Sequence, residues 1–260
     1  MAGKLLRDEP AEGIVRLTIS NPDKRGALDH PILDALAEEL PGIDAACLIL
    51  TGDGPIFSAG YDIGDIPEEV FATEAEKLIA HPFAAAMAGL DRCEIPIIAA
   101  INGPAIGGGL EVALGCDLRI TEPTAAFGMP PAKLGLIYSH TGLRRFIDAI
   151  GVPRTRELFL LGRRIKAETA LDWGLVNEVT EPGGVADAAV AMAKELAGNA
   201  PLSIKGNKRI LRELAEAAAK LAPEVEEELI ALRKASFSSE DFREGVAAFA
   251  ERRPAEFKGR

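Results

Sequence analysis

The sequence predicts an α/β fold followed by a helical C-terminal region, and three observations carry that expectation. Short, continuous apolar runs ending in glycine recur as "AACLILTG" and "IPIIAAING", the pattern of strands buried on both faces. Stretches with helical spacing of apolar residues lie between such runs. From about Ala186 the strand-like runs stop, and helical patterns succeed one another with short breaks at Gly198, Pro201, Pro223 and Ser238.

Taken in order, Val15, Leu17 and Ile19 alternate with Arg16 and Thr18, the period of a half-buried strand. The turn-rich segment "NPDKRGALD" ends it. Next, "DHPILDALAEEL" reads as a helix with Asp29 as N-cap and Pro31 in the first turn. "CLILTG" is a buried strand, and Ala75 to Arg92 a helix carrying Leu78, Phe83, Met87 and Leu90. "IPIIAAING", "CDLRI" and "LVNEVT" supply further strands. In the tail, "VADAAVAMAKELAG", "SIKGNKRILRELAEAAAK", "EVEEELIALRKASF" and "SEDFREGVAAFAERR" read as successive helices. They are too charged to form a core of their own and are expected to pack on the main domain or on a neighbouring subunit.

With 260 residues, the chain suits one large domain or a main domain with an appendage. A division into a core over 1–195 and a helical region over 196–260 follows. The apolar fraction of 48% and charged fraction of 27% suit a globular protein. A formal net charge of −11 argues against nucleic acid or an anionic membrane as partner, since both demand a positive field. Cys47, Cys93 and Cys116 have no metal-ligand spacing and read as reduced core residues. No metal site is expected. The first residues, "MAGKLLRDEPAEG", lack the apolar run of a secretory signal, and no long apolar run suggests a membrane span, so a cytoplasmic location is expected.

The segment "INGPAIGGGLEVALGCDLRI" concentrates the chemistry. Gly107, Gly108 and Gly109 open a helix, where each costs up to about 1 kcal/mol relative to alanine. First-turn amides have no partner within the helix and form an anion or oxyanion site. Close packing of helix on strand is the other explanation for such glycines. A second glycine turn, "PIFSAGYDIGDIP", follows its own strand in the same way, so two strand ends can each present an N–H to one oxygen. Glu111, three residues after Gly108, is either a general base or a carboxylate favoured by the helix dipole.

"ISNPDKRGALD", "FSAGYDI", "INGPAIGGGLEVALGCDLRI" and the ending "EDFREGVAAFAERRPAEFKG" together resemble the enoyl-CoA hydratase/isomerase superfamily, the crotonases, over nearly the whole chain. The resemblance implies a spiral of ββα units, a helical region used in trimer assembly, and acyl-CoA substrates whose thioester enolate is held by two backbone amides. Homotrimers or dimers of trimers are the implied assembly. No separate cofactor is implied, coenzyme A being part of the substrate. Carried over, the two amides are those of Tyr61 and Gly108. Ala59 and Ile63 would meet the adenine through their carbonyls, with Gly60 and Asp62 in the same turn. Lys24, Arg25 and Ala27 would lie near the phosphates and pantetheine. Phe257 and Lys258 match a C-terminal pair that reaches coenzyme A, commonly from an adjacent subunit.

The sequence departs from the family's hydratases at one decisive place. They use two glutamates; the first matches Glu111, but the second falls where Pro131 stands in "FGMPPAKLGL". The following "LGLIYSHTG" brings Tyr138, Ser139 and His140. Several of these features are similar to the methylmalonyl-CoA decarboxylases of the same superfamily, which carry a tyrosine at the place of Tyr138 but a histidine at that of Tyr61. Tyr61, Gly108, Glu111 and Tyr138 are therefore the catalytic candidates, and His140 a candidate substrate contact. Hydration or isomerisation through Glu111 alone, decarboxylation, thioester hydrolysis and non-catalytic acyl-CoA binding all remain open at the level of sequence.

Overall fold

The computed structural model describes residues 2–62, 79–218 and 220–260. Its frame is a six-stranded sheet in the order β1-β2-β3-β4-β6-β9. The strands are β1 (Lys4–Ala11), β2 (Ile14–Ser20), β3 (Cys47–Gly52), β4 (Ile97–Ile101), β6 (Leu118–Thr121) and β9 (Glu178–Val179). All neighbours run parallel except β1 and β2. The central β3 and β4 are buried almost throughout, as their unbroken apolar runs require. A smaller sheet joins β5 (Ala105–Ile106), β7 (Ala126–Gly128) and β8 (Arg164–Lys166).

The chain alternates between these two sheets. After β3 it makes a parallel bridge from Ser58 to Ala105. After β4 it runs through β5 into the helix α3 (Gly108–Leu114), and after β6 through β7 toward the helical segment α4 (His140–Leu161), which is broken at Gly151 (φ 72°). The rounds from β4 and β6 thus each set one strand in the large sheet and one short strand in the small sheet before a helix, and the round from β3 adds a single bridge there, consistent with the ββα spiral expected from the sequence. Asn102 fastens two successive rounds: its amide donates to the carbonyls of Gly52 (3.0 Å) and Gly54 (2.7 Å) and accepts from Gly52 N–H (3.1 Å).

Helix α1 (His30–Glu39) begins where the sequence places it. Asp29 accepts from Ile32 N–H at 3.2 Å, and Pro31 occupies the first turn. Within the expected helix ending at Arg92, the described part is a π-helical turn, Ile79–Phe83, containing Pro82, followed by α2 (Ala84–Arg92). Residues 75–78 of that expectation lie outside the described residues. Both α1 and α2 bury their apolar faces, Ile32, Leu33 and Leu36 with Ala86, Met87 and Leu90, against one face of the large sheet. Each such large apolar side chain contributes roughly 1.5–3 kcal/mol when fully buried.

After the short helix α5 (Ala167–Asp172), helix α6 (Val185–Ala197) covers the opposite face. There Val185, Ala189 and Ala193 meet Ile49, Ile98 and Ile120. Cys47 and Cys116 are buried free thiols whose pKa burial pushes up to about 12. The chain ends in α7 (Pro201–Ala218), α8 (Pro223–Phe237) and α9 (Glu240–Glu251). Pro201 and Pro223 each begin a helix, where the missing N–H costs nothing. Helix α7 buries none of its residues and leaves Leu202, Ile210, Leu211 and Leu214 exposed. No described helix is long and apolar enough to cross a membrane.

Candidate active site

The two glycine turns meet face to face. In the turn after β3, the amides of Phe57 and Ser58 donate to Pro104 O, Ala59 N–H to Arg25 O, Gly60 N–H to Ser58 Oγ and Asp62 N–H to Leu28 O. Tyr61 N–H has no backbone acceptor among the described residues. Across from it, Ile106 N–H donates to Ser58 O and Gly107 N–H to Gly128 O, while Gly108 N–H, first in α3, likewise has no backbone acceptor among the described residues. A Cβ on Gly60 would lie 3.2 Å from Gly108 N, so the two strand ends are in direct contact.

The glycines at this helix start are explained mainly by the protein itself. A Cβ on Gly108 would stand 2.8 Å from the Tyr61 ring, and one on Gly109 2.5 Å from Ser58 Cβ. Close packing, rather than room for a ligand, therefore requires glycine at both positions. Gly107 differs: its φ of 56° is left-handed and a Cβ there would meet nothing within 4 Å.

A cavity of about 80 Å³ opens in front of these amides. Ala59, Gly60 and Tyr61 line one side and Ile106, Gly107 and Gly108 another. Pro130, Pro131, Leu134, Leu136 and Tyr138 form the third wall, and Phe237 of α8 with Phe242 of α9 closes it. Pro131 is buried in that wall, and its carbonyl accepts from Leu134 N–H (3.0 Å) and Leu136 N–H (2.9 Å).

Glu111, in the first turn of α3, is 3% exposed. It lies behind the wall: its Oε2 is hydrogen-bonded to the Tyr138 hydroxyl, which itself lines the cavity. Tyr61 Oη is 3.5 Å from Tyr138 Oη. With Glu111 ionised, Tyr138 donates to it and accepts from Tyr61; with Glu111 protonated, the chain can run the other way. Edge-to-face contacts fix the two rings, Tyr61 on Phe83 at 4.8 Å and Tyr138 on Phe159 at 5.4 Å between centroids.

Burial raises the pKa of Glu111, while the Tyr138 hydroxyl and the Arg145 guanidinium pull it back. Burial also lifts both tyrosines well above the ordinary phenol value, so both stay protonated. Arg145 Nε sits 3.8 Å from Glu111 Oε1 and is held by two hydrogen bonds to Asp91, of 2.8 and 2.6 Å. Sequence reasoning missed both Arg145 and Asp91; they are 54 residues apart and belong to no motif.

Lys24 Nζ pairs with Asp62 at 2.7 Å, and Arg25, with a left-handed φ of 55°, supplies the carbonyl that receives Ala59 N–H. Ala27 is buried beside them, its carbonyl accepting from Asn21 Nδ2 at 2.9 Å. These residues brace the Tyr61 turn and do not line the cavity. Ile63 lies outside the described residues. His140 is turned toward α8, where its Nε2 is 3.5 Å from Glu226. Ser139 caps α4, accepting from Gly142 N–H at 3.0 Å. Phe257 is partly exposed, and Lys258 N–H donates to Asp241.

The fold spirals between two sheets and brings together two strand-end amides without a backbone acceptor among the described residues, an arrangement that can donate two hydrogen bonds to one oxyanion. The chain belongs to the enoyl-CoA hydratase/isomerase family, whose model matches residues 9–260, and it is an enzyme of the crotonase superfamily. It is 33% identical over 258 residues to the probable enoyl-CoA hydratase echA6 of Mycobacterium leprae, covering 96% of this chain and 97% of that one. It is 31% identical to the 2,3-dehydroadipyl-CoA hydratase of Escherichia coli, over 95% and 96% of the two chains. Among solved structures, methylmalonyl-CoA decarboxylase complexed with 2S-carboxypropyl CoA superposes with a TM-score of 0.90 at 28% identity, over 100% of both chains. A methylmalonyl-CoA decarboxylase in complex with 2-nitronate-propionyl-CoA gives 0.88 at 28%, over 99% of both chains.

Proposed function

We propose that this protein decarboxylates a 2-carboxyacyl-CoA thioester of the malonyl type. The observation that carries the reading is the wall of the cavity: a phenol hydroxyl at Tyr138 screens Glu111, and Pro131, where the resemblance to the family's hydratases calls for a second glutamate, lines it without a carboxylate. Water addition needs groups that bind and activate water at the reacting carbons. Decarboxylation needs an apolar pocket that strips water from the leaving carboxylate, an oxyanion site and a proton donor.

In this reading the thioester oxygen lies between Tyr61 N–H and Gly108 N–H. The bond from the α-carbon to the carboxylate breaks, carbon dioxide leaves, and the electron pair moves into the enolate that the two amides hold. The Tyr138 proton passes to the α-carbon and the Glu111 proton replaces it; solvent then reprotonates Glu111. Lys24, Arg25, Ala27 and the turn around Ala59 receive coenzyme A, with Phe257 and Lys258 reaching it across a subunit boundary. The exposed leucines of α7 support assembly into a trimer. The decarboxylase relatives among solved structures support the reaction assignment.

A second reading, hydration of an enoyl-CoA, is favoured by relatives named as hydratases at 31% and 33% identity. Mass spectrometry of the protein incubated separately with methylmalonyl-CoA and crotonyl-CoA decides between them. Loss of carbon dioxide from the first is expected. Gain of water on the second alone would overturn the proposal, and binding of both by calorimetry without conversion would leave an acyl-CoA-binding protein.

A further inference from the structure

The two oxygens of the buried Glu111 face different partners. Oε2 meets the Tyr138 hydroxyl, on the cavity side. Oε1 faces Arg145, whose Nε is 3.8 Å away. Arg145 reaches this position from α4, and its guanidinium is clamped by both carboxylate oxygens of Asp91 at the end of α2, at 2.8 and 2.6 Å. Among the described residues, the charged and titratable groups around Glu111 are Arg145 from α4, Asp91 from α2, Tyr138 before α4 and, one step further, Tyr61, which in turn feels the charge of Arg233 from α8. Arg145 does not line the cavity, so it cannot touch a substrate held there.

We propose that Arg145, pinned by Asp91, is a positioning residue that stabilises the carboxylate left on Glu111 after its proton has moved through Tyr138 to the substrate. A carboxyl this deeply buried, with no cation beside it, holds its proton too tightly to be a useful donor, because the charge left behind is unsolvated. The guanidinium offsets that cost at Oε1 without competing for the Tyr138 contact at Oε2. Asp91 fixes the guanidinium plane with a bidentate pair, the geometry arginine forms best and lysine cannot reproduce. The inference rests on the proton-relay reading for its catalytic consequence, but the effect of Arg145 on Glu111 stands apart from any substrate.

Two measurements separate these levels. In ligand-free protein labelled with 13C at glutamate carboxyls, and with Glu111→Gln to assign the signal, Arg145→Met should raise the Glu111 titration midpoint by about one pH unit or more, as loss of an opposite charge within about 4–6 Å implies. Arg145→Lys should recover part of that shift. An unmoved midpoint in Arg145→Met would overturn the proposal whatever the enzyme's substrate proves to be. In turnover of methylmalonyl-CoA, the fall of kcat at high pH should move upward by the same interval with KM little changed. A uniform fall of kcat with the limb in place would reduce Arg145 to a structural brace. If wild-type protein converts no thioester, the decarboxylase reading fails while the titration still decides the role of Arg145.

Discussion

The Glu111 carboxylate and the Tyr138 hydroxyl are hydrogen-bonded across 27 residues of sequence, with only the tyrosine reaching the cavity. In the proposed reaction the carboxylate therefore acts on a bound thioester through the phenol. Tyr138→Phe removes the link while keeping the ring against Phe159, so binding of acyl-CoA should persist and kcat should fall by about 10²-fold or more, the usual contribution of a positioned acid. Glu111→Gln should also lower kcat, because the amide accepts from Tyr138 but cannot supply its proton. Steady-state kinetics of both variants check this; a Tyr138→Phe enzyme with wild-type kcat would remove the hydroxyl from the reaction.

Gly142 permits that contact. A methyl there would lie 2.6 Å from Tyr138 Cε1 and 3.0 Å from Glu111 Oε1, closer than either can tolerate without moving. Gly142→Ala should destabilise the fold by about 1–3 kcal/mol, the usual penalty for overpacking, and should lower turnover at temperatures where the protein remains folded. Denaturant unfolding followed by activity at low temperature separates the two effects. Unchanged stability and turnover together would show that the site relaxes around the methyl.

Much of the frame was legible because its signals are local. The Asp29 cap and the apolar runs of β3 and β4 are properties of a few consecutive residues, and they form as read. Strand β1 was missed because it is an edge strand whose charges, such as Asp8 paired with Arg16, disguise its alternation. The strands of the small sheet are only two or three residues long and carry no period at all. At the site, Glu111 and Tyr138 stand in recognisable motifs, whereas Asp91 and Arg145 gain meaning only when α2 and α4 meet. The glycines of α3 illustrate a different limit: sequence reveals that something approaches the backbone, and only the fold identifies it as Tyr61 and Ser58.

The burial of Glu111 has a consequence for stability. Its folded pKa is raised, chiefly by desolvation, so the native state holds this proton more tightly than the unfolded chain. The associated stability is complete below the ordinary carboxylate pKa of about 4.3 and is lost as pH rises through the folded value. Glu111→Gln has no such proton to lose. Its stability relative to the wild type should therefore climb as pH rises from about 4 and then level off. Urea unfolding at a series of pH values measures the difference, and a flat or falling curve would contradict the raised pKa.

Under the proposed decarboxylase reading, Pro131 offers a gain-of-function test of what separates this site from a hydratase. The residue lies in the cavity wall at the start of a 3₁₀ turn, Pro131–Lys133, and its structural work is done by a carbonyl that any residue possesses. Pro131→Glu keeps that carbonyl and directs a carboxylate at the cavity in front of Tyr61 N–H and Gly108 N–H. Desolvation raises the pKa of such a group, bringing it toward the range where it can hold and activate water. Loss of the enoyl-thioester absorbance of crotonyl-CoA should then appear in the variant above the wild-type rate, while decarboxylation declines because a second anion opposes the substrate carboxylate. If the variant folds, binds crotonyl-CoA and still adds no water, the position of Pro131 is not what excludes hydration, and the screening of Glu111 by Tyr138 becomes the controlling feature.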